Sequence, residues 1–184
     1  AMVKGSGCRL VDADGKEYLD FLAGIAVCAL GHCHPAVTEA IRRQAGQLVH
    51  VSNLYYTEPQ IRLAELLVAN SFGEKIFLAN SGAEANEAAL KLARIHAGAG
   101  RYQVISLSGS FHGRTLATVA ATGQPKFHQG FEPLPEGFFH APFGERLWRR
   151  DVADAAVAVS EKQCVRQRRA ALDLQPEFRQ RFGR

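Results

Sequence analysis

Residues 75–107, KIFLANSGAEANEAALKLARIHAGAGRYQVISL, decide the predicted fold class of this chain. Lys75–Ala79 has the length and apolar character of a short buried strand, Ala83–Ala97 has the periodicity of a helix, and Tyr102–Leu107 is a second candidate strand. Strand, helix and strand at this spacing form a βαβ unit, in which the two strands run parallel. The sequence therefore predicts an α/β fold with a parallel sheet and helices on its faces.

The sequence upstream of this unit predicts a hairpin and two further helices. Arg9–Leu22 alternates apolar and polar residues around Asp14-Gly15, which is typical of a β-hairpin. Pro35 fits the first position of a helix that ends at Gly46. Thr57-Glu58-Pro59-Gln60 resembles a capping box and is expected to open the second helix.

The composition limits the possible classes of function. Of the 184 residues, 47% are hydrophobic and 22% are charged, which excludes a wholly disordered chain. No run of about 18 apolar residues occurs, so neither a transmembrane helix nor a membrane partner is expected. The first residues lack the apolar core of a signal peptide, and the expected location is therefore the cytoplasm.

The four cysteines include no Cys-x-x-Cys pair and are few for a disulfide scaffold, so free thiols are expected. Cys28, His32, Cys33 and His34 are crowded together, and a metal site is the alternative interpretation. Adjacent ligands on one short turn rarely complete a tetrahedral site, and no second pair of ligands follows at a suitable spacing. We therefore expect no bound metal.

Arginine is concentrated at the C-terminal end of the sequence. Nine of the sixteen arginines lie in the last forty residues, and the regular alternation of elements ends near Phe143. A basic tail can bind nucleic acid or a membrane surface, but no interleaved aromatic residues support base stacking. A solvated tail is the favoured interpretation of residues 145–184, and nucleic-acid binding is the less favoured one.

The first candidate site lies where the first predicted strand meets its helix. Ser81 and Glu84 form a capping box, and Gly82 allows the backbone to approach a ligand closely. The N–H groups of a first helical turn, together with the helix dipole, suit an anion such as phosphate. The alternative is that Ser81–Glu84 serves only to start the helix.

The second candidate site is Ser108–Thr115, directly after the second predicted strand. Phe111 can stack on a flat heterocycle, and Arg114 can hold a carboxylate through two hydrogen bonds. The alternatives are that Phe111 belongs to the core and that Arg114 makes a surface salt bridge. Taken together, the two strand ends favour a phosphorylated aromatic cofactor and an amino-acid substrate.

Four motifs follow one another along the chain: Gly24–Val27 with Gly31–Pro35, Ser52–Pro59, Asn80–Glu87 and Ser110–Thr115. Together they resemble the N-terminal part of class III, pyridoxal-phosphate-dependent aminotransferases and, within that class, the acetylornithine branch. The resemblance runs from about Gly5 to Phe143.

The resemblance implies a fold and its domains. It implies the type I pyridoxal-phosphate-dependent transferase fold in incomplete form, with residues 1–50 as the N-terminal segment of the small domain. Residues 51–144 would be the first part of the cofactor-binding large domain, and residues 145–184 would not match the family. Family members are homodimers whose active sites lie at the subunit interface.

The resemblance also implies roles for individual residues. Pyridoxal 5'-phosphate would be held by Ser81, Gly82, Ala83, Phe111 and His112. In that family the backbone N–H groups of Gly82 and Ala83 bind the phosphate and the ring of Phe111 stacks on the pyridine.

The implied substrates are a small amino acid and a 2-oxo acid. Arg114 would bind the substrate α-carboxylate, while Asn53 and Tyr56 would shape the substrate pocket. The implied reaction transfers the amino group of acetylornithine to 2-oxoglutarate in arginine biosynthesis.

The catalytic groups that the family requires are not found in this sequence. Family members are more than twice as long, and after the position of Phe143 they supply an aspartate for the pyridine nitrogen and a Schiff-base lysine. None of the six lysines has the matching context. We therefore expect a truncated enzyme without useful turnover on its own. The alternative is a non-catalytic remnant that binds phosphate or a family partner.

The change in composition after Phe143 suggests a change of reading frame, because a GC-rich gene read out of frame gives an Arg/Ala-rich product. We expect the nucleotide sequence beyond the codon for Phe143 to encode the acidic and lysine motifs in another frame. Sequencing the gene through this region is the measurement. If no frame encodes them, the frame-change hypothesis is wrong.

Overall fold

The computed structural model describes residues 1–144 and the backbone of residues 156–157. The chain divides into two compact units, Ala1–Glu74 and Lys75–Arg184, which are described separately. The domain boundaries that the resemblance implies, after residues 50 and 144, stay predictions.

Six strands and five helices occur in the described part of the chain. The strands are β1 (Met2–Ser6), β2 (Arg9–Asp12), β3 (Glu17–Leu19), β4 (Val104–Leu107), β5 (Phe138–Ala141) and β6 (Ala156–Val157). The helices are α1 (Ala23–Ala26), α2 (Pro35–Ala45), α3 (Glu58–Ala69), α4 (Gly82–Ala97) and α5 (Leu116–Ala121). None of the described helices has the length and hydrophobicity needed to span a membrane.

The first unit contains the predicted hairpin. Strands β1, β2 and β3 form an antiparallel sheet in which Leu10 lies opposite Tyr18. The Asp12 carboxylate accepts hydrogen bonds from the backbone N–H groups of Asp14 (3.0 Å) and Lys16 (2.9 Å) and from the Tyr18 hydroxyl (2.8 Å). These bonds, above all the one from Tyr18, lower the pKa of Asp12. The hairpin prediction is confirmed, and Asp12 organises its turn.

The two helices predicted in the first unit are confirmed, but one predicted cap is wrong. Helix α2 begins at Pro35 and ends before Gly46, as expected. Helix α3 begins after Thr57, yet the Thr57 side chain makes no capping hydrogen bond. The second helical residue, Pro59, has no N–H, which removes one of the two backbone donors that a capping side chain usually binds. Thr57 therefore marks the helix start without capping it.

The strand predicted at Lys75–Ala79 is wrong. This segment has no regular secondary structure, and the side chain of Phe77 is 73% exposed. A strand requires a neighbour for its backbone hydrogen bonds, and no described strand pairs with residues 75–79. The parallel sheet itself is confirmed, with β4 in the centre and both β5 and β6 parallel to it. The chain from β4 to β5 passes through α5 rather than α4.

The buried core lies in the second unit. Its largest fully buried side chains include Val104 on β4 and Thr118 on α5, and Leu90 contributes from α4. No residue of the first unit is buried. The packing of β4 and α5 therefore fixes the loop that connects them, residues 108–115.

Gly123 is expected to be essential to this packing. A Cβ atom at position 123 would lie 2.2 Å from the Leu107 carbonyl oxygen and 3.0 Å from the Ser108 Cα, so the backbone would have to shift. We expect Gly123→Ala to lower the free energy of unfolding by about 1–3 kcal/mol in urea denaturation of the 184-residue chain. Gly46→Ala is the control, because its nearest contact would be an ordinary 3.6 Å. Equal effects of the two substitutions would contradict the assignment.

Candidate functional site

The start of α4 is fixed by two side chains. The Ser81 hydroxyl accepts a hydrogen bond from the Glu84 N–H (3.2 Å), and a Glu84 carboxylate oxygen accepts one from the Asn80 N–H (2.7 Å). In a standard capping box the glutamate would bond to the N–H of the N-cap residue itself, which here is Ser81. The predicted box is therefore present, with its acidic arm moved one residue towards the N-terminus.

The backbone at the start of α4 is open to a ligand. The N–H groups of Gly82 and Ala83 have no hydrogen-bond partner among the described residues. A Cβ atom placed on Gly82 would meet no atom within 4 Å. Unpaired N–H groups at the positive end of a 16-residue helix are suited to an anion. The residues present thus fit a phosphate group at this helix end.

Phe111 and Arg114 lie together on the loop after β4, as predicted. The Phe111 side chain is 45% exposed and meets Phe127 edge-on, with ring centroids 5.4 Å apart. The Arg114 guanidinium carbon lies 5.0 Å from the Phe127 ring centroid and 6.0 Å from that of Phe111. Arg114 forms no salt bridge with a described carboxylate. Its guanidinium is therefore oriented by aromatic rings and remains able to bind a carboxylate.

Phe127 was missed by the sequence analysis. It ends a short 3-10 turn, Pro125–Phe127, and the Lys126 ammonium lies 4.9 Å from the same ring centroid. Phe127 and Arg114 are thirteen positions apart in the sequence, and Phe127 lies in a short turn without helical or strand periodicity. The spacing of residues therefore could not predict their contact. The only available signal was the aromatic residue following a Pro-Lys pair.

The loop after β4 packs against the first turn of α4. Gly113 has a φ of 136°, and a Cβ atom on it would lie 2.7 Å from both the Ala83 Cβ and the Thr118 Oγ1. The Asn86 side-chain amide donates a hydrogen bond to the His112 carbonyl (2.7 Å). The structure therefore brings together the two segments that the sequence analysis singled out separately.

The His112 side chain lies in the core, with 4% of the residue exposed. Its backbone N–H donates to the Thr122 hydroxyl (3.0 Å), and its Nε2 has no hydrogen-bond partner among the described residues. Burial is the main reason that the pKa of His112 is lowered, and the nearby imidazole of His140 lowers it further. The predicted contact of His112 with a cofactor stays a prediction.

The two predicted pocket residues belong to the first unit. Asn53 lies in the short 3-10 turn Ser52–Leu54, and Tyr56 is 94% exposed. Ser81–Ala83 and the loop after β4 belong to the second unit. The roles of Asn53 and Tyr56 in a substrate pocket stay predictions.

His32, one of the crowded histidine and cysteine residues, has an acidic partner. Its Nε2 lies 2.6 Å from an Asp20 carboxylate oxygen, and this hydrogen bond is the main reason that the pKa of Asp20 is lowered. Within residues 1–144, no group of three or more His, Cys, Asp or Glu side chains is arranged to hold a metal ion. Cys8, Cys28 and Cys33 are free thiols.

An open helix start beside an aromatic ring and an arginine, at the carboxyl end of the central strand of a parallel sheet, is typical of α/β proteins that bind a phosphorylated ligand. The family profile described as "Aminotransferase class-III" matches residues 1–174. The chain belongs to this family, whose members depend on pyridoxal phosphate.

Curated relatives agree with this assignment. The chain is 56% identical over 148 residues to an acetylornithine aminotransferase of Caldanaerobacter subterraneus subsp. tengcongensis, covering 78% of this chain and 38% of the relative. It is 50% identical over 166 residues to an acetylornithine aminotransferase of Neisseria meningitidis serogroup A, covering 88% of this chain and 40% of the relative. The chain thus spans about two fifths of the length of these relatives.

Solved structures confirm the predicted aminotransferase fold. An ornithine aminotransferase from Toxoplasma gondii superposes with a TM-score of 0.74 at 31% identity, covering 78% of this chain and 36% of that one. A taurine:2-oxoglutarate aminotransferase from Bifidobacterium kashiwanohense, in complex with PLP and glutamate, superposes with a TM-score of 0.71 at 32% identity. That match covers 77% of this chain and 32% of that one.

The family match extends beyond the predicted limit of resemblance at Phe143. It reaches residue 174, and the backbone of Ala156–Val157 adds a parallel strand beside β4. Apart from the backbone of residues 156–157, residues 145–184 lie outside the described part of the structure. That residues 145–184 form a tail outside the family stays a prediction, which sequencing of the gene through this region tests.

The buried imidazole of His112 predicts a loss of stability in acid. Because the folded state lowers its pKa, the unfolded chain binds more protons once the pH falls below the usual histidine pKa of about 6.5. The free energy of unfolding should therefore fall between about pH 7.5 and 5.5, and His112→Gln should reduce that slope. Urea titrations at several pH values measure it. An unchanged slope in His112→Gln would contradict the prediction.

Proposed function

We propose that this chain supplies the phosphate-binding and ring-binding part of an aminotransferase that acts on acetylornithine, with 2-oxoglutarate as the amino acceptor, in arginine biosynthesis. The observation that carries the proposal is the open first turn of α4 held directly beside the loop of Phe111 and Arg114. Curated relatives named as acetylornithine aminotransferases, 50–56% identical to this chain, support the choice of substrate.

The proposed cofactor site uses backbone and side-chain groups of the second unit. The N–H groups of Gly82 and Ala83 would bind the phosphate of pyridoxal phosphate, and the Ser81 hydroxyl retains a proton to donate to it. The exposed face of Phe111 would stack on the pyridine ring. When bound, the cofactor supplies an electron sink for charge that develops on the substrate. The chain itself contributes binding and orientation.

The proposed substrate site is centred on Arg114. Its guanidinium would bind the α-carboxylate through two parallel hydrogen bonds, a geometry that lysine cannot reproduce. Contact with the Phe127 ring restricts the rotation of the guanidinium before substrate arrives. We further propose that Asn53 and Tyr56 shape the pocket for the acylated side chain.

The proposed role of the chain by itself is binding rather than turnover. A lysine amine and an aspartate at the pyridine nitrogen are the groups through which the protein takes part in this chemistry, and none of the six lysines here has the expected context. We propose that those groups, and the second subunit of a homodimer, are needed for the complete reaction. A non-catalytic remnant that binds phosphate, a family partner or nucleic acid is the competing proposal.

Titration of the purified chain with pyridoxal phosphate tests the proposed function. We expect saturable binding and, after borohydride reduction and peptide mass spectrometry, no specific lysine adduct. Gly82→Asp should weaken binding at least about tenfold, because it places a negative charge beside the phosphate while favouring the helix start. Absorbance titration gives the affinity.

The matched control is Ala99→Asp, which adds the same charge after the other end of α4 and should leave the affinity unchanged. Equal losses in both variants would show that net charge, rather than the helix start, controls binding. The absence of saturable binding by the unsubstituted chain would reject the proposal. Strong, salt-dependent binding to RNA or DNA in that case would favour the remnant with a basic tail. A specific lysine adduct would contradict the proposal that none of the six lysines is the Schiff-base lysine.

A further inference from the structure

Asn86 and Glu87, in the second turn of α4, have no part in the proposed binding of cofactor or substrate. Both side chains nevertheless reach the loop after β4. The Asn86 side-chain N–H donates a hydrogen bond to the His112 carbonyl (2.7 Å). A carboxylate oxygen of Glu87 accepts a hydrogen bond from the Thr115 hydroxyl (2.5 Å). The two bonded loop residues, His112 and Thr115, flank Gly113 and Arg114 in the sequence. Helix α4 thus holds this loop at two points.

Helix α5 and Thr122, the residue that follows it, also bind this loop. The His112 N–H donates to the Thr122 hydroxyl (3.0 Å), and the Thr115 N–H donates to the Thr118 hydroxyl (2.9 Å). Gly113 leaves no space for a side chain between Ala83 and Thr118. The backbone of residues 112–115 is therefore fixed between two helices, and only the α4 contacts relate it to the open helix start.

We propose that Asn86 and Glu87 are positioning residues that set the separation between the phosphate-binding turn of α4 and the ring-binding face of Phe111. This inference rests on the proposed function. A ligand with a phosphate and a flat ring gains the full benefit of both sites only when they are held at a fixed separation, because otherwise each ordered contact costs conformational entropy. A ligand with phosphate alone requires only the helix start.

Comparing two ligands tests this proposal. The affinities of the 184-residue chain for pyridoxal phosphate and for inorganic phosphate are measured by calorimetry. Asn86→Ala should weaken pyridoxal phosphate binding about five- to tenfold, the effect expected for one lost half-buried hydrogen bond, and should change phosphate binding less than twofold. Glu87→Ala should act in the same direction. A purely structural role would reduce both affinities together or neither.

Conservative variants guard against loss of folding. Asn86→Leu keeps the approximate size of the side chain and adds no charge but removes the N–H donor, so it should resemble Asn86→Ala. Glu87→Gln keeps an acceptor for the Thr115 hydroxyl and should retain the parent ratio of affinities. Phe111→Ala should remove the advantage of pyridoxal phosphate over phosphate, and adding Asn86→Ala to it should lower that advantage no further.

The outcomes separate this inference from the proposed function. Failure of the unsubstituted chain to bind pyridoxal phosphate overturns both. Normal binding by the parent, with an unchanged ratio of affinities in Asn86→Ala and Asn86→Leu, overturns the positioning role alone. Additive losses in the Phe111→Ala and Asn86→Ala pair overturn it too, because Asn86 would then act independently of the aromatic ring.

Discussion

The close approach of Gly113 to the first turn of α4 is the constraint on which the candidate site depends. Any larger residue at position 113 would collide with Ala83 and with Thr118, and the φ of 136° is itself unfavourable for an L side chain. This contact places the loop of Phe111 and Arg114 beside the open N–H groups of Gly82 and Ala83. Without it, a phosphate site and an aromatic face would be unrelated features of one unit.

Three hydrogen bonds beneath the loop help to hold its conformation. The Ser106 hydroxyl donates to the Ala121 carbonyl at 2.5 Å, the Gln124 amide donates to the Ser110 carbonyl at 3.1 Å, and Gly109 is joined to Gly123 through the backbone at 2.6 Å. Paired polar groups in a core specify one arrangement more strongly than apolar packing does. The orientation of the ring and guanidinium above them is therefore largely set before a ligand binds.

The two units differ in how many side chains they bury. The second unit buries Val104, Ile105 and Val119 around the parallel sheet, while the first unit buries no residue, and the side chain of Ile41 on the apolar stripe of α2 is largely exposed. The hydrophobic stabilisation is correspondingly concentrated around β4 and α5. The residues proposed to bind the phosphate and the carboxylate belong to the second unit, which is the better packed of the two.

Local chemistry allowed the sequence alone to determine the hairpin at Asp12–Lys16 and the starts of α2 and α4, because turns and helix ends depend on neighbouring residues. The strand expected at 75–79 failed, since a strand requires a partner that local pattern cannot supply. Only the tertiary structure decided that Phe127 orients Arg114 and that Asn86 reaches the His112 carbonyl. Those contacts join residues distant in the chain, and their geometry is set by packing rather than by sequence spacing.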